Sequence, residues 1–499
     1  MTHLSAEALP ALAERLPVPT YDRAGVRVGI VHLGVGGFHR AHQAMYVDRL
    51  LERGLARDWG ICGVGVLPSD ARMRDALRAQ DGLYTLVLKH PDGTWEPRVV
   101  GSLVEYLLAP DDPAAVVERM AEEAVRIVSL TVTEGGYNIH AVTGGFDLSN
   151  PDVAADLEPG AVPRTTFGLV TAALALRRER GVPPFTVMSC DNVQGNGEVA
   201  HRAFTAFATA LDAELGAWVE REVRFPNSMV DRITPQTTEE DRAELARRFG
   251  VEDAWPVVCE PFTQWVLEDG FGAGRPPLEE AGVQVVADVG PYELMKLRLL
   301  NASHQALCYF GHLAGHRLVH EVCQEPLFAE FLLGYMREEG EPTLAPVPGI
   351  DLAGYQEELI RRFSNAGVRD TVARLCAESS DRIPKWLLPV VRHQLATGGE
   401  LRRSAAVVAS WARYAEGVDE AGEPIEVVDR LRERLRAAAL RQREEPLAFL
   451  ADRELFGDLV DSPAFTGPYL RALGSLHARG ARATLEELVA QLRREGVAR

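Results

Sequence analysis

The sequence predicts an α/β protein, in which a parallel-sheet domain is followed by a mainly α-helical domain. Three observations carry that prediction. Apolar, β-branched runs alternate with helix-patterned segments through the first half of the chain, as in parallel sheets covered on both faces. From about Pro291 the strand signals fade and helical periodicity takes over. The chain's 499 residues are also too many for one ordinary core. The division is placed between residues 1–288 and 289–499.

VRVGIVHL, starting at Val26, reads as a first strand buried on both faces. WGICGVGVL, AVRIVSLTVT and FTVMSCDN read as three further strands. Helix patterns lie among them: SDARMRDALRAQ with Ser69 or Asp70 as N-cap, DPAAVVERMAEEA, and TTFGLVTAALALRRERG. In the second half, YQEELIRRFSN, RDTVARLCAESS, LRRSAAVVASWARYAEG and ATLEELVAQLRREG are helical by period.

Composition narrows the partners. Hydrophobic residues make up 46% and charged residues 25%, ordinary for a globular protein. A formal charge of −19 argues against nucleic acid or an anionic membrane as partner. The six cysteines form no CxxC pair, which speaks against a zinc ribbon or a redox dithiol and for reduced core residues. The N-terminus reads as neither a signal peptide nor a membrane span, so a cytoplasmic protein, monomeric or weakly oligomeric, is expected.

GVGGFHRAH follows the first strand and opens a helix, where backbone N–H groups and a helix N-terminus hold a pyrophosphate. Gly34 permits the tight turn and Gly36 a close approach, making Gly34, Val35, Gly36, Gly37 and Phe38 candidate cofactor contacts. The strict GxGxxG pattern is broken by His39 in the third glycine's place. Asp70 follows the second strand. It reads either as an acceptor for an adenosine ribose, which would repel the extra phosphate of NADP, or as a plain helix cap. Arg72 and Arg74 lie nearby.

Polar residues end the third and fourth strands: Glu134 in TVTEGGYN, and Asp191 and Asn192 in SCDNVQGNG. Ligands of open parallel sheets sit outside such strand ends, although each residue alone could simply tie down its loop. Within MKLRLLNASH, Lys296, Asn301 and His304 stand among leucines. At roughly 100° per residue they share an arc of about 140° on an α-helix. A lysine in an apolar setting loses hydration and can become a proton acceptor, and an asparagine can donate to an oxygen gaining charge. The alternative is a snorkelling lysine and a core histidine. His312, His316 and His320 recur every fourth residue, near one helix face, but lack the glutamate of HExxH and read as ordinary histidines; no metal is expected.

GVGGFHRAHQA, TEGGYN, SCDNVQGNG, FPNSMVDRITP, EPFTQWVLED and KLRLLNASH occur in that order. Together they resemble the polyol-specific long-chain dehydrogenases, the mannitol dehydrogenase family, from about Val26 to beyond Trp411. The resemblance implies an extended Rossmann domain, a helical C-terminal domain, and metal-free hydride transfer between NAD(H) and a small polyol/ketose pair. It implies Lys296 as general base, Asn192 and Asn301 polarising the reacting oxygen, and Glu134 on a proton path. Asp231, His304, Arg374 and Arg382 would contact substrate hydroxyls. Arg382 stands where a basic residue, often lysine, is expected. D-mannitol/D-fructose is the favoured pair. Fructuronate, whose carboxylate two arginines would suit, is the rival within the family, and a non-catalytic dinucleotide sensor is the rival from another class.

Overall fold

The structure is a computed structural model and describes residues 1–139 and 145–497. The chain forms two compact units, Met1–Gly290 and Pro291–Arg499.

At the centre of the first unit lies a five-stranded parallel sheet. Its strands are β1 (Val28–Leu33), β2 (Gly60–Gly65), β3 (Leu103–Leu108), β4 (Ile127–Leu130) and β5 (Thr186–Ser189). They are ordered β3-β2-β1-β4-β5. Ile30 of β1 pairs with Ile61 on one side and Ile127 on the other. The period-two alternation of strands sorts the core. Ile30, Ile61, Ile127 and Met188 pack on Met45, Tyr46 and Leu50 of the helix Gln43–Glu52. Val31, Val64, Val128 and Val187 pack on Met120, Leu174 and Phe204, from helices Pro113–Ala121, Thr166–Glu179 and Asn196–Leu211. Both faces are therefore buried, which is why these strands read as continuous apolar runs. The order reverses between β1 and β4, and such a reversal marks the ligand-binding end of an open α/β sheet.

β3 escaped the sequence reading. It is one of the two edge strands, and Glu105 within it faces out to pair with Arg119 at 2.6 Å, which breaks the apolar run. Two three-stranded sheets were also not foreseen. One joins Val257–Cys259, Tyr84–Lys89 and Trp95–Val100. The other joins Gln284–Val286, Gln264–Glu268 and Ser228–Asp231, so that FPNSMVDRITP and EPFTQWVLED run antiparallel with Asp231 opposite Gln264.

Helices build the second unit, among them Leu352–Phe363, Arg402–Tyr414 and a C-terminal Pro463–Val497 that breaks at Gly480, φ 85°. Two expectations are corrected. KLRLLN is not α-helical: an α-helix over Gly290–Met295 runs into a π-helical turn, Lys296–Asn301, then continues as Ala302–Leu313. The histidine row also shares no helix face. The helix stops at Leu313, Gly315 turns the chain at φ 95°, and His320 lies on a separate helix, Val319–Cys323. Among the described residues no group of three His, Cys, Asp or Glu could hold a metal ion, and no helix is long and apolar enough to cross a membrane.

Candidate active site

In the first unit the glycine loop, Glu134 and Asn192 follow the carboxyl ends of β1, β4 and β5, Asp70 follows β2, and Asp231 ends a strand of a neighbouring sheet. Gly34 leaves β1 with φ +90°, and a Cβ there would lie 2.3 Å from the carbonyl oxygen of Thr131, just after β4. Only glycine fits. The Thr131 hydroxyl donates to the Gly34 carbonyl at 2.7 Å. A Cβ on Gly36 would meet nothing closer than 3.9 Å, so the backbone there faces open space. The loop thus fits the close approach of a pyrophosphate, which is the test a dinucleotide must pass. Val35 is buried in the core, and Phe38, half-buried, packs against it.

His39 explains its departure from the glycine pattern. Its ring turns back into the unit and stacks on His32 of β1, with centroids 3.5 Å apart. His32 in turn bridges Ser129 and Thr131 at 2.8 and 2.9 Å. Burial pushes the His32 imidazole down to about 3, and burial, with the neighbouring His32, Arg40 and His42, holds His39 well below its ordinary value. Both rings stay neutral behind the glycine loop.

Asp70 does not cap the helix that follows it. Its Oδ2 reaches back to accept from the N–H groups of Val66 and Leu67, both at 2.9 Å, which fixes the turn after β2. The nearby cations are engaged elsewhere. Arg74 pairs with Asp75 at 2.8 Å and with Asp111, and Arg72 lies over the Trp255 ring at 5.8 Å.

The loops after β4 and β5 are clamped together by Asp191. Its carboxylate accepts from the N–H groups of Val132 (3.1 Å) and Thr133 (2.8 Å) and from the Tyr137 hydroxyl (2.9 Å). Thr133 is held at φ 67°, ψ 167°, a region that glycine dominates and that costs another residue about 1–3 kcal/mol. The strained residue directly precedes Glu134, whose backbone opens a 3-10 turn and whose side chain lies outside the described residues. Asn192 follows Asp191 and is exposed.

Asn196, which the sequence reading passed over, staples this loop to the strand that carries Asp231. Its Nδ2 donates to the carbonyls of Asp191 (3.0 Å) and Ser228 (2.7 Å), and its Oδ1 accepts from Ser228 N–H (2.9 Å). Asn227 Oδ1 accepts from Gly197 N–H at 2.9 Å, at the start of the helix Asn196–Leu211. A Cβ on Gly197 would lie 2.5 Å from the Phe225 carbonyl oxygen. The shared NG and FPN motifs are therefore two halves of one contact. Asp231, 4% exposed, ends its strand.

In the second unit, Lys296 and Asn301 bound the π-turn, both buried. Ala302 N–H bonds to Leu297 O, five residues back. This spacing brings residues five apart nearer to one face than an α-helix would. Asn301 Nδ2 is buried with no hydrogen-bond partner among the described residues. His304, one turn on, packs its ring on Phe363 with centroids 4.7 Å apart. Asp370, unforeseen although Asp370 and Arg374 are spaced i,i+4, grips Arg374 through Nε at 2.7 Å and Nη2 at 2.5 Å. Burial alone would raise the Asp370 carboxyl, but Arg374 and then His304 outweigh it and hold it below its ordinary value. Arg382 Nη1 donates to the carbonyls of Arg374 (3.0 Å) and Leu375 (3.1 Å), which ties the two arginines into one patch.

A parallel sheet of this order with a glycine loop at its reversal point, followed in the chain by a helical unit with a buried lysine, defines a dinucleotide-dependent oxidoreductase class. Residues 28–280 match the mannitol dehydrogenase Rossmann domain and residues 288–476 the mannitol dehydrogenase C-terminal domain. The chain belongs to the mannitol dehydrogenase family. It is 48% identical to a mannitol 2-dehydrogenase of Phaeosphaeria nodorum over 95% of this chain and 84% of that one. Its fold matches the Pseudomonas fluorescens mannitol 2-dehydrogenase ternary complex with NAD and D-mannitol, with TM-score 0.88 and 46% identity over 98% of this chain and all of the other. A substrate-free D-sorbitol dehydrogenase matches with TM-score 0.87 and 40% identity over 97% of this chain and all of that one.

Proposed function

We propose that this protein is a metal-independent, NAD-dependent polyol dehydrogenase that interconverts D-mannitol and D-fructose. The matched relatives support the substrate pair and the cofactor, because the most similar of those described here are mannitol 2-dehydrogenases and one is a complex with NAD and D-mannitol. Oxidising a secondary alcohol leaves negative charge on its oxygen as the proton departs; NAD, when bound, takes the hydride. Lys296 removes the proton. Its burial weakens the hydration on which an ammonium depends and so favours the amine. Asn301 and Asn192 donate to the oxygen as its charge develops, and preorganised donors of this kind often supply the largest single term in a barrier reduction. Glu134 serves a proton path. Asp231, His304, Arg374 and Arg382 contact substrate hydroxyls.

Gly34, Val35, Gly36, Gly37 and Phe38 hold the pyrophosphate by backbone, and Asp70 holds the ribose. Asp70 Oδ2 is spent on its own turn, which leaves Oδ1 for a ribose hydroxyl. Arg74 is already paired, so it is poorly placed to welcome a 2′-phosphate.

One observation carries the reading: Asn301 keeps a buried amide donor, without a hydrogen-bond partner among the described residues, on the same π-turn as Lys296. Burying such a donor costs about 1–3 kcal/mol, a cost that makes sense where a substrate oxygen supplies the acceptor. The test compares specificity constants for NADH-dependent reduction of fructose, fructuronate, tagaturonate and xylulose, before and after exhaustive chelation. Fructose should lead and chelation should change nothing. Fructuronate reduced far more efficiently would transfer the reading to a hexuronate reductase, and nucleotide binding without turnover on any substrate would favour a sensor.

A further inference from the structure

The π-turn that carries Lys296 does not stand alone. A second π-turn, Tyr335–Gly340, packs against it. In an α-helix, Ala302 N–H would bond to the carbonyl of Arg298. Here it goes to Leu297, and the Arg298 carbonyl accepts the hydroxyl of Tyr335 at 3.0 Å. Tyr335 is fully buried, and burial, with Glu339 beside it, drives its phenol well above its ordinary value, so it stays a donor.

Further stitches surround this bond. Arg298 Nη1 donates to the Thr343 carbonyl, and Tyr292, one turn before Lys296, donates to the Pro348 carbonyl at 2.8 Å. Thr343 in turn donates to the Gly340 carbonyl at 2.6 Å. Gly340 lets the two turns touch, since a Cβ there would stand 3.0 Å from Leu299 Cδ2 and 3.2 Å from Arg298 O.

A π-turn is rare and is found chiefly as a single turn inserted in an α-helix, often at functional sites. Its persistence needs contacts that the α pattern would not make. The Tyr335 hydroxyl bonds to a carbonyl that the α pattern would give to a backbone N–H.

We propose that Tyr335 is a positioning residue for the reaction: its bond to the Arg298 carbonyl, with the close contact at Gly340, holds the π register that aims Lys296 and Asn301 at the same substrate oxygen. The inference rests on Lys296 being the base. Without the hydroxyl the turn relaxes toward the α pattern, in which residues 296 and 301 lie about 140° apart around the axis. The lysine then meets the alcohol without the amide beside it. Because a ligand-independent equilibrium between two registers is at stake, a modest loss of support lowers the competent population rather than abolishing it.

The test uses the full-length enzyme with Tyr335→Phe, which keeps the ring and removes the bond, and Gly340→Ala, which crowds the same turn from the other side. Lys296→Ala is the control. Mannitol oxidation is followed across pH at a temperature well below unfolding, together with the KM for NAD and the melting temperature. Tyr335→Phe should lower kcat about tenfold, in proportion to a net hydrogen bond to this turn. It should move the midpoint of the pH profile and leave the KM for NAD unchanged, and Gly340→Ala should shift kcat and pH midpoint in the same direction. A lower melting temperature with kcat and pH profile intact would reduce Tyr335 to a structural contact and overturn the proposal, as would no change in any readout. If Lys296→Ala itself keeps normal turnover and pH profile, the assignment of the base has failed. If that control loses activity while Tyr335→Phe does not, only the positioning role has failed.

Discussion

The two units hold their reactive side chains by different means. In the first, the groups ride on loops at strand ends, and other side chains clamp those loops: Asp191 across the β4 and β5 loops, Asn196 from there to the Asp231 strand, Thr131 on Gly34. In the second, Lys296 and Asn301 ride inside a helix, and the helix itself is distorted to bring them to one face. Loops with local clamps tolerate a lost group one at a time, because each clamp serves its own segment. A distorted helix couples its residues, so disturbing its register disturbs both. The difference suggests a division: a change at one first-unit loop should stay with that segment's own task, cofactor choice at Asp70 or chemistry at Asn192, whereas a change in the second unit's turn should disturb Lys296 and Asn301 together.

The sharpest way to break that comparison is Lys296→Ala. It removes the proposed proton acceptor and leaves the glycine loop and Asp70 untouched. Turnover should fall by roughly 10²–10⁴-fold with NADH binding near normal, and the rise of oxidation rate with pH should disappear. Stopped-flow binding and steady-state rates on the same preparation check both. Near-normal turnover would leave the lysine a mere snorkelling side chain.

Asn301→Ala and Asn192→Ala come next and test the two proposed oxyanion donors one at a time. Each deletes one donor to the developing oxyanion and should cost on the order of 10²-fold in kcat. The two changes should differ in stability. Asn301→Ala removes a buried amide donor that has no partner among the described residues, so its melting temperature should hold or rise. A loss of stability without a loss of rate would show that Asn301 serves packing alone.

How far these features could be read from sequence follows the same division. β1, β2, β4 and β5 were legible because burial on both faces writes itself as an unbroken apolar run. β3 was not, because an edge strand with Glu105 facing out carries no such run. Gly34 was legible as a turn residue, and its φ of +90° bears that out. The inward stacking of His39 on His32 was not, since contacts between a strand and the next helix leave no local pattern. Asp191 was singled out only as a polar strand end, and Asn196 stood inside the same motif without a visible task, because their partners lie some 30 to 60 residues away in sequence. The π-turn was the deepest omission. KLRLLN has ordinary helix propensity, and what bends it is Tyr335 and Gly340, about 40 residues downstream.

Asp70→Ala sharpens the comparison from the first unit's side. Losing a charge-assisted hydrogen bond to the ribose, and a repulsion to a 2′-phosphate, should shift the ratio of kcat/KM for NAD over NADP by about tenfold or more toward NADP. Because Asp70 Oδ2 also holds the turn at Val66 and Leu67, Asp70→Asn is the better control for the loop's shape. Equal use of NADP by the unaltered protein would remove Asp70 from the site. A change in kcat at saturating cofactor, with no change in preference, would instead mean that Asp70 does more than choose the cofactor.

The smallest effect is a difference in how the units respond to acid. In the first unit, His32 is pushed down to about 3 and His39 well below its ordinary value, both by burial. Folded, they stay neutral; unfolded, they take up protons near pH 6.5. Their contribution is complete above pH 6.5 and is lost as pH falls below it, for His32 down to about 3, with a slope of up to about 1.4 kcal/mol per pH unit for each. In the second unit, burial raises the Glu339 carboxyl to about 7 despite the hydrogen bonds from Ser404 and Arg403. That sign is opposite. A raised acid contributes stability below about pH 4.5 and loses it as pH climbs through 7, so acidification from pH 7 to 5 favours the second unit at this residue. His312 and His320, lowered by partial burial, oppose it there. Hydrogen exchange, corrected for the intrinsic pH dependence of the rates, should therefore show protection falling from pH 7 to 5 more steeply in β1 and β4 than in the helix Arg402–Tyr414, whose first turn Glu339 caps. Glu339→Gln removes the opposing proton and should bring the helix's slope toward that of the sheet. Equal slopes in the unaltered protein would mean that Glu339 stays ionised through this range, held by its three donors.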